Sequence, residues 1–312
     1  MNKDKQVKTT SLPSKLKLLV LSTDDWTSTA SSINSKNELL LTIHKPCAES
    51  YIYNDGKATL IPVKSGNLCY ASSINDHSEV VGGFGPEFHQ MNAYHYKNGK
   101  MTILPSLGGG TTGATGINNE GLIVGLSWKG GRQRAVIWKN GNVIDLGPKL
   151  PGESAFYAIN NNGTGVGYFR EKDKIDTFLY KDGSITILKN QDECSGTALN
   201  NHNYIAGHLQ TKSARRAFLY KNKQFFFPNI KGSVSSNAND INDNNIIAGY
   251  SMDRSGKRYG FLWKDEKVIN INSIIKSDYT VVNVQAINDN NFIVGQCAIG
   301  KQLRACLLVP EA

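Results

Sequence analysis

The side chains best equipped for chemistry in this chain are arginines and lysines in short clusters. Lys129, Arg132 and Arg134 form one, and Lys212, Arg215 and Arg216 a second. Arg254, Lys257 and Arg258 beside Asp253 form a third, and Lys301 and Arg304 a fourth. A fifth set, Arg170, Lys172 and Lys174, is balanced by Glu171, Asp173 and Asp176. Together these clusters carry an excess about equal to the +9 of the whole 312-residue chain. Guanidinium groups grip phosphate and carboxylate in bidentate geometry. The clusters therefore suit an acidic protein, an anionic lipid headgroup or another polyanion. Trp26 and Trp128 stand near the same stretches, and an indole beside arginine can stack on a sugar or base.

Other chemistry is weakly marked. The five cysteines, Cys47, Cys69, Cys194, Cys297 and Cys306, are dispersed and form no CxxC pair, so no structural zinc site is expected. An odd, scattered set suits a reducing compartment and reads as small buried hydrophobes. His44, His89 and His208 show no metal-ligand spacing, and no phosphate loop, nucleophile elbow or dinucleotide fingerprint occurs. No metal and no cofactor are expected. Glycoside hydrolysis would require two carboxylates about 5–10 Å apart. The available ones, Asp24, Asp25, Glu87, Glu153, Asp192, Glu193 and Asp240, are scattered; Asp24, Asp25 and Asp240 are weak catalytic candidates.

The clusters take their places from a repeat of about 42 residues. Ile33-Asn34, Ile74-Asn75, Ile117-Asn118, Ile159-Asn160, Leu199-Asn200, Ile241-Asn242 and Ile287-Asn288 open seven units. An apolar-Gly pair follows in six of them, as in Val81-Gly82 and Val124-Gly125; the first unit has Leu41-Thr42 instead. An aromatic stretch comes next, such as Val136-Ile137-Trp138 or Phe178-Leu179-Tyr180. Then come a turn such as Lys139-Asn140-Gly141 and a last short apolar run. Asn-Gly and Asp-Gly between apolar runs signal tight hairpins, because both central residues need positive φ. Each unit thus reads as four short strands, a to d.

Four strands per 40–45 residues is the signature of a propeller blade. The seventh unit supplies strands a, b and c and then stops, while residues 15–21 form a lone strand before the first unit. The expected architecture is all-β: a seven-bladed β-propeller of four-stranded antiparallel blades. The N-terminal strand 15–21 joins the last three strands and closes the ring. Residues 1–14 read as a disordered or extended tail and residues 15–312 as one domain.

The pattern Ile-Asn-x-x-Gly-x-Ile-Val-Gly, then Ala-Phe-Leu-Trp/Tyr, then Lys-Asn-Gly-x-x-x-Asp-Leu-Gly resembles the HAF-type repeats, often catalogued as probable extracellular repeats. Residues 117–147 match best, and the resemblance covers nearly all of residues 30–309. Arg134, Arg216 and Arg304 stand where the family has histidine. The resemblance implies the repeat fold and no particular activity.

In a meander, the a–b and c–d turns share one end of the ring and the b–c and d–a loops share the other. The first set is tight and repetitive, so its asparagines read as structural. The second set is variable and holds the basic clusters, which makes it the expected functional face. Arg132, Arg134, Arg215, Arg216, Arg258, Arg304 and Lys129 are its candidate ligand-binding cations, with Trp26 and Trp128 beside them. Strand a should line the axis. Three residues before each repeat asparagine stand Ser31, Ser72, Thr115, Tyr157, Thr197, Asn239 and Gln285, all polar and uncharged. Of these, Tyr157, Asn239 and Gln285 are candidate ligand contacts at the channel mouth. Asp240 is expected to pair with a basic neighbour or touch a ligand.

The reading is a non-enzymatic, monomeric binding scaffold that docks an acidic partner. The alternatives are a propeller hydrolase or lyase acting on a glycan, and a microbial effector or adhesion module. The opening apolar run, Leu18–Leu21, is shorter than the ~7–15 residues of a secretory core or the ~20 of a membrane span. The expected location is cytoplasmic, or exported without such a signal.

Overall fold

The repeat asparagine turns strand a into strand b. In the computed structural model, which describes residues 11–22, 26–64 and 66–311, Asn34 Oδ1 accepts from the backbone N–H groups of Lys36 and Glu38. Asn75, Asn160, Asn200 and Asn288 make the same pair of bonds. A short polar side chain that bonds its own turn can do this where an apolar one cannot. The c–d hairpins follow the sequence equally closely: Asn98-Gly99, Asn140-Gly141 and Asp182-Gly183 all have positive φ at both positions. Asp24, Asp25 and residues 1–10 lie outside the described residues.

The strands pair a to d in seven four-stranded antiparallel sheets. Blade three is typical, with Thr112–Ile117, Ile123–Lys129, Arg132–Lys139 and Asn142–Asp145. The seventh blade is completed across the termini. Leu16–Val20 pairs antiparallel with Gln302–Pro310, with Leu16 opposite Pro310 and Val20 opposite Cys306. The expected ring closure is therefore present. Leu16 shares an apolar cluster with Leu262, Val281, Cys306 and Leu308, so closure buries hydrophobic surface as well as pairing an edge. Leu12 packs against that cluster and Asn291 donates to Ser11 O. These two residues of the expected tail are thus anchored.

Every strand a carries a bulge, and the bulged residues are the polar set Ser31, Ser72, Thr115, Tyr157, Thr197, Asn239 and Gln285. The bulge drives strand a against strand b and explains the repeated glycine. A Cβ on Gly125 would lie 2.1 Å from Gly113 O, and one on Gly249 2.0 Å from Asn237 O. No side chain fits there.

Blades are joined by two repeated polar contacts. In the first, an Ala N–H of strand c donates to a hydroxyl at the start of the next strand a: Ala93 to Thr112, Ala135 to Ser154, Ala217 to Ser236 and Ala305 to Ser28. Two junctions exchange the partners. Ser50 and Thr177 replace the alanine and donate to the carbonyls of Cys69 and Cys194, which replace the hydroxyl residue. Those two cysteines thus sit buried where no second hydroxyl is needed. At the remaining junction Gly260 faces Val281, and Asn272 bonds both the N–H and C=O of Val281.

The second contact is a closed lattice. Each repeat asparagine donates its side-chain N–H to the carbonyl of the next: Asn34 to Asn75, Asn75 to Asn118, Asn118 to Asn160, Asn160 to Asn200, Asn200 to Asn242, Asn242 to Asn288, and Asn288 back to Asn34. All seven are buried. The a–b end is thereby stitched blade to blade around the whole ring.

Candidate binding face

The b–c and d–a loops meet at the opposite end, and the predicted cations divide there into two kinds. Arg304 is only 4% exposed. Its Nη1 donates to Trp26 O and Leu303 O, so it ties the entry to blade one against blade seven. The expectation that Arg304 is displayed to a ligand is therefore corrected, since ring closure covers it. Arg134 lies 2.9 Å from Asp145 Oδ2, with Lys129 3.8 Å from the same oxygen, so this cluster is largely answered within blade three. Arg132, Arg170, Arg216, Arg254 and Arg258 are exposed. The Arg216 guanidinium stands 4.6 Å from the Phe227 ring centroid and Arg258 4.3 Å from that of Tyr250, contacts that orient each charge while leaving it to solvent. Arg215 is half-buried beside Gln210. Trp26 is 45% exposed, and Trp128 is half-buried.

Tyr157 differs from four of its counterparts. In Ser31, Thr115, Thr197 and Asn239 the bulged side chain reaches forward to a carbonyl of the next blade, that of Ala71, Phe156, Ala238 and Val284 respectively. A phenol is too long for that contact. The Tyr157 ring is instead 36% exposed, with its centroid 5.3 Å from that of Tyr168. The Tyr168 hydroxyl accepts from Gln133 Nε2 at 2.7 Å. Burial raises the Tyr157 pKa, while a hydrogen bond to Ser195 and the charges of Arg170 and Arg215 oppose the rise.

Ser195 pairs directly across the sheet with His208. Burial pushes the His208 pKa down to about 4, Arg215 adds to the effect, and its Nδ1 is buried with no hydrogen-bond partner among the described residues. Strand b of blade five, Ile205–Gln210, packs on strand a of blade six, Ser233–Ile241, which carries Asn237. Asn237 is buried, and its Nδ2 donates to Asn239 while its Oδ1 has no partner among the described residues. Such orphaned groups are uncommon in a folded interior. Asn239 also donates to Asn283 Oδ1, and Gln285 is half-buried on the next strand.

Asp240 contacts neither a base nor an open site. Its oxygens accept from the N–H groups of Ile241 and Ile287, clamping blade six to blade seven. Burial raises its pKa to about 6 despite those bonds. The expected basic partner is replaced by backbone. Glu87, Glu153, Asp192 and Glu193 are distributed over blades two, four and five. Among the described residues no group of three or more His, Cys, Asp or Glu is arranged to hold a metal ion. No helix among them is long and apolar enough to cross a membrane.

The a–b end holds a feature the sequence reading passed over. A cavity of about 200 Å³ lies on the axis, walled by Ile33, Ile117, Ile241 and their counterparts and rimmed by the residue after each repeat asparagine. The rim is itself cross-linked: Ser35 N–H donates to Asp76, Asp76 N–H to Asn119, and Asp243 N–H to Asp289. Burial would raise the Asp76 pKa, but the Ser35 N–H and the Asn119 amide hold it below the usual range. The polar run Ser35, Asp76, Asn119, Asn161, Asn201, Asp243, Asp289 was the available signal.

No protein-family model matches the sequence, and no curated protein is significantly similar to it. Solved structures do resemble it. The β-propeller domain of the Trilobed protease from Pyrococcus furiosus is 11% identical, over 92% of this chain and 96% of that one, with a TM-score of 0.65. Pyrococcus horikoshii acylaminoacyl peptidase is 12% identical with a TM-score of 0.62; 91% of this chain aligns, but it spans only 52% of that one. U3-55K is 9% identical over 94% and 98% of the two chains, with a TM-score of 0.60. At such identities the likeness establishes the seven-bladed propeller fold.

Proposed function

We propose that this protein is a non-enzymatic docking propeller that binds an acidic macromolecule at the b–c and d–a end, centred on blades four to six. The observation that carries the reading is the placing of Arg170, Arg215, Arg216 and Arg258 on three consecutive blades, with Arg170 and Arg215 near exposed Tyr157. Among the described residues none of the four is ion-paired. Unpaired guanidinium groups, two of them, Arg216 and Arg258, held over aromatic rings, attract and orient anions. Among the described candidate carboxylates only Asp192 and Glu193, adjacent in sequence, share a blade, and Asp240 is held by backbone N–H groups, which gives the hydrolase reading no support.

The test uses heparin as a polyanion probe. The variant with Arg170, Arg215, Arg216 and Arg258 all changed to Glu should elute from immobilised heparin at much lower salt than the parent, with its thermal midpoint little changed. Equal retention of the two proteins refutes the docking face.

A further inference from the structure

We infer that the polyanion docked at the b–c and d–a end is a single-stranded nucleic acid, its phosphates held by the arginines and its bases stacked on exposed aromatic rings. This rests on the docking reading above and names its ligand. Every arginine of the chain lies in or beside a b–c loop, and the a–b and c–d turns carry none. The exposed aromatic rings follow the same partition. Among the described residues they are Trp26, Phe88, Tyr157, Phe226 and Phe227, and none of them lies in an a–b or c–d turn. Trp26 precedes strand a of blade one, and Phe88 stands in the b–c loop of blade two. Tyr157 lies on the axial strand of blade four, and Phe226 and Phe227 lead out of strand d of blade five. With exposed Arg132 on blade three and Arg258 on blade six, blades one to six each bring an exposed ring or guanidinium to this end.

Phe88 is the most exposed of these rings, at 68%. The loop that carries it is pinned. Gln90 N–H donates to Glu87 O, Thr112 N–H to Met91 O, and the Thr111 hydroxyl to His89 O. The ring centroid lies 5.2 Å from that of Tyr70 with the planes 29° apart, and Tyr70 lies 6.1 Å from His44. The flanking Glu87 and His89 pair with each other at 2.9 Å. A ring stacked from below and open above is a surface for another flat ring. On blades four to six the rings and arginines meet directly: Tyr157 lies near Arg170 and Arg215, Arg216 over Phe227, and Arg258 over Tyr250. This combination selects the ligand. An acidic peptide supplies carboxylates without a flat ring beside each one. A duplex supplies phosphates but hides its base faces in the stack. A sulfated polysaccharide supplies anions and C–H faces but no π-face. A single strand supplies a charge and an open base at every nucleotide, and a cationic track with aromatic platforms is how such strands are held. An extended strand visits stations on successive blades, so no single pocket has to gather them. Recognition of this kind is tolerant of sequence.

The experiment is fluorescence anisotropy with a labelled oligo-dT of about 15 nucleotides. The same strand annealed to oligo-dA is the duplex control, and immobilised heparin is run in parallel. At equal salt the single strand should bind at least about fivefold more tightly than the duplex. Phe88→Ala and Trp26→Ala should each weaken the single strand by about fivefold or more, and both should leave heparin retention unchanged. Phe88→Trp keeps a flat ring and should bind at least as tightly as the parent, which separates loss of the ring from loss of fold. A single strand bound no better than the duplex, or bound indifferently to both alanine variants, overturns the nucleic-acid reading. If heparin retention still depends on the exposed arginines in that case, the docking face stands and its ligand is a polyanion without bases. If neither the oligonucleotide nor heparin is retained, both readings fall.

Discussion

The two ends of this ring are both polar, yet they differ in how completely the repeat uses its hydrogen bonds. At the a–b end seven asparagines donate in one direction round a circuit that closes on itself, from Asn288 to Asn34. Each also caps its own turn, as Asn160 does through Asn162 and Thr164. At the other end the corresponding interblade bond is made by only four of the seven bulged residues, Ser31, Thr115, Thr197 and Asn239, while the Tyr157 ring packs near Tyr168 instead. Close by, His208 and Asn237 keep unanswered polar atoms. A position the repeat saturates is accounted for by the fold. Tyr157 departs from those four relatives, and its exposed ring is surface that the repeat contact does not use.

The largest test of that contrast is Asn160→Ala. It removes the donor to Asn200 O and the acceptor for two turn N–H groups, one of them buried, and should cost about 3 kcal/mol in denaturant unfolding. A cost under 1 kcal/mol would mean the lattice does not hold the ring together. Next is Thr177→Ala, which strands the Gly196 N–H and the Cys194 carbonyl and should cost about 2 kcal/mol. Adding Cys194→Ser recreates the arrangement seen at Ala135 and Ser154 and should recover part of that loss. A double variant no more stable than the single would show that the two arrangements are not interchangeable.

A smaller effect separates His208 from Asp240 by the sign of its pH dependence. His208 is depressed to about 4 from 6.5, so the unfolded chain takes up the extra proton first and stability falls as pH drops from 6.5 toward 4. Asp240 is raised to about 6 from 3.8, so the folded chain takes up the extra proton and stability rises over the same descent. The two oppose each other. Compared with the parent, His208→Gln should gain stability and Asp240→Asn should lose it between pH 7 and 4.5. Each differential should be about 1–2 kcal/mol, reduced by the partial exposure of both groups. Thermal melts across that range would show parallel curves if the assignments were wrong. The smallest expected effect is that of Arg216→Glu, which should change stability by about 0.5 kcal/mol or less while lowering the salt at which heparin releases the protein.

The fold was legible because its markers are local. The Ile-Asn and Asn-Gly pairs fix turns through their own backbones, and seven copies at near-constant spacing leave little freedom in strand order. The unpaired strand at the N-terminus foretold the closure seen between Leu16–Val20 and Gln302–Pro310. The site was legible only in part. Tyr157 and Arg215 stand out by their positions in the repeat. Nothing local sets Ser195 or Asn237 apart from the other small polar residues of a strand. Arg304 and Arg134 share one place in the repeat, but the carbonyl of Trp26 claims one and Asp145 the other. The axial cavity at the a–b end escaped notice because its rim was read as turn chemistry, which it also is.

The sequence by itself determined the blade, the number of blades and the end of the ring to which each loop belongs, because those follow from turn residues and alternation along one strand. Only the tertiary structure decided which arginines face solvent, which polar atoms go unanswered and where the asparagines join. Those outcomes depend on what the next blade presents about 40 residues away, and no local propensity carries that information.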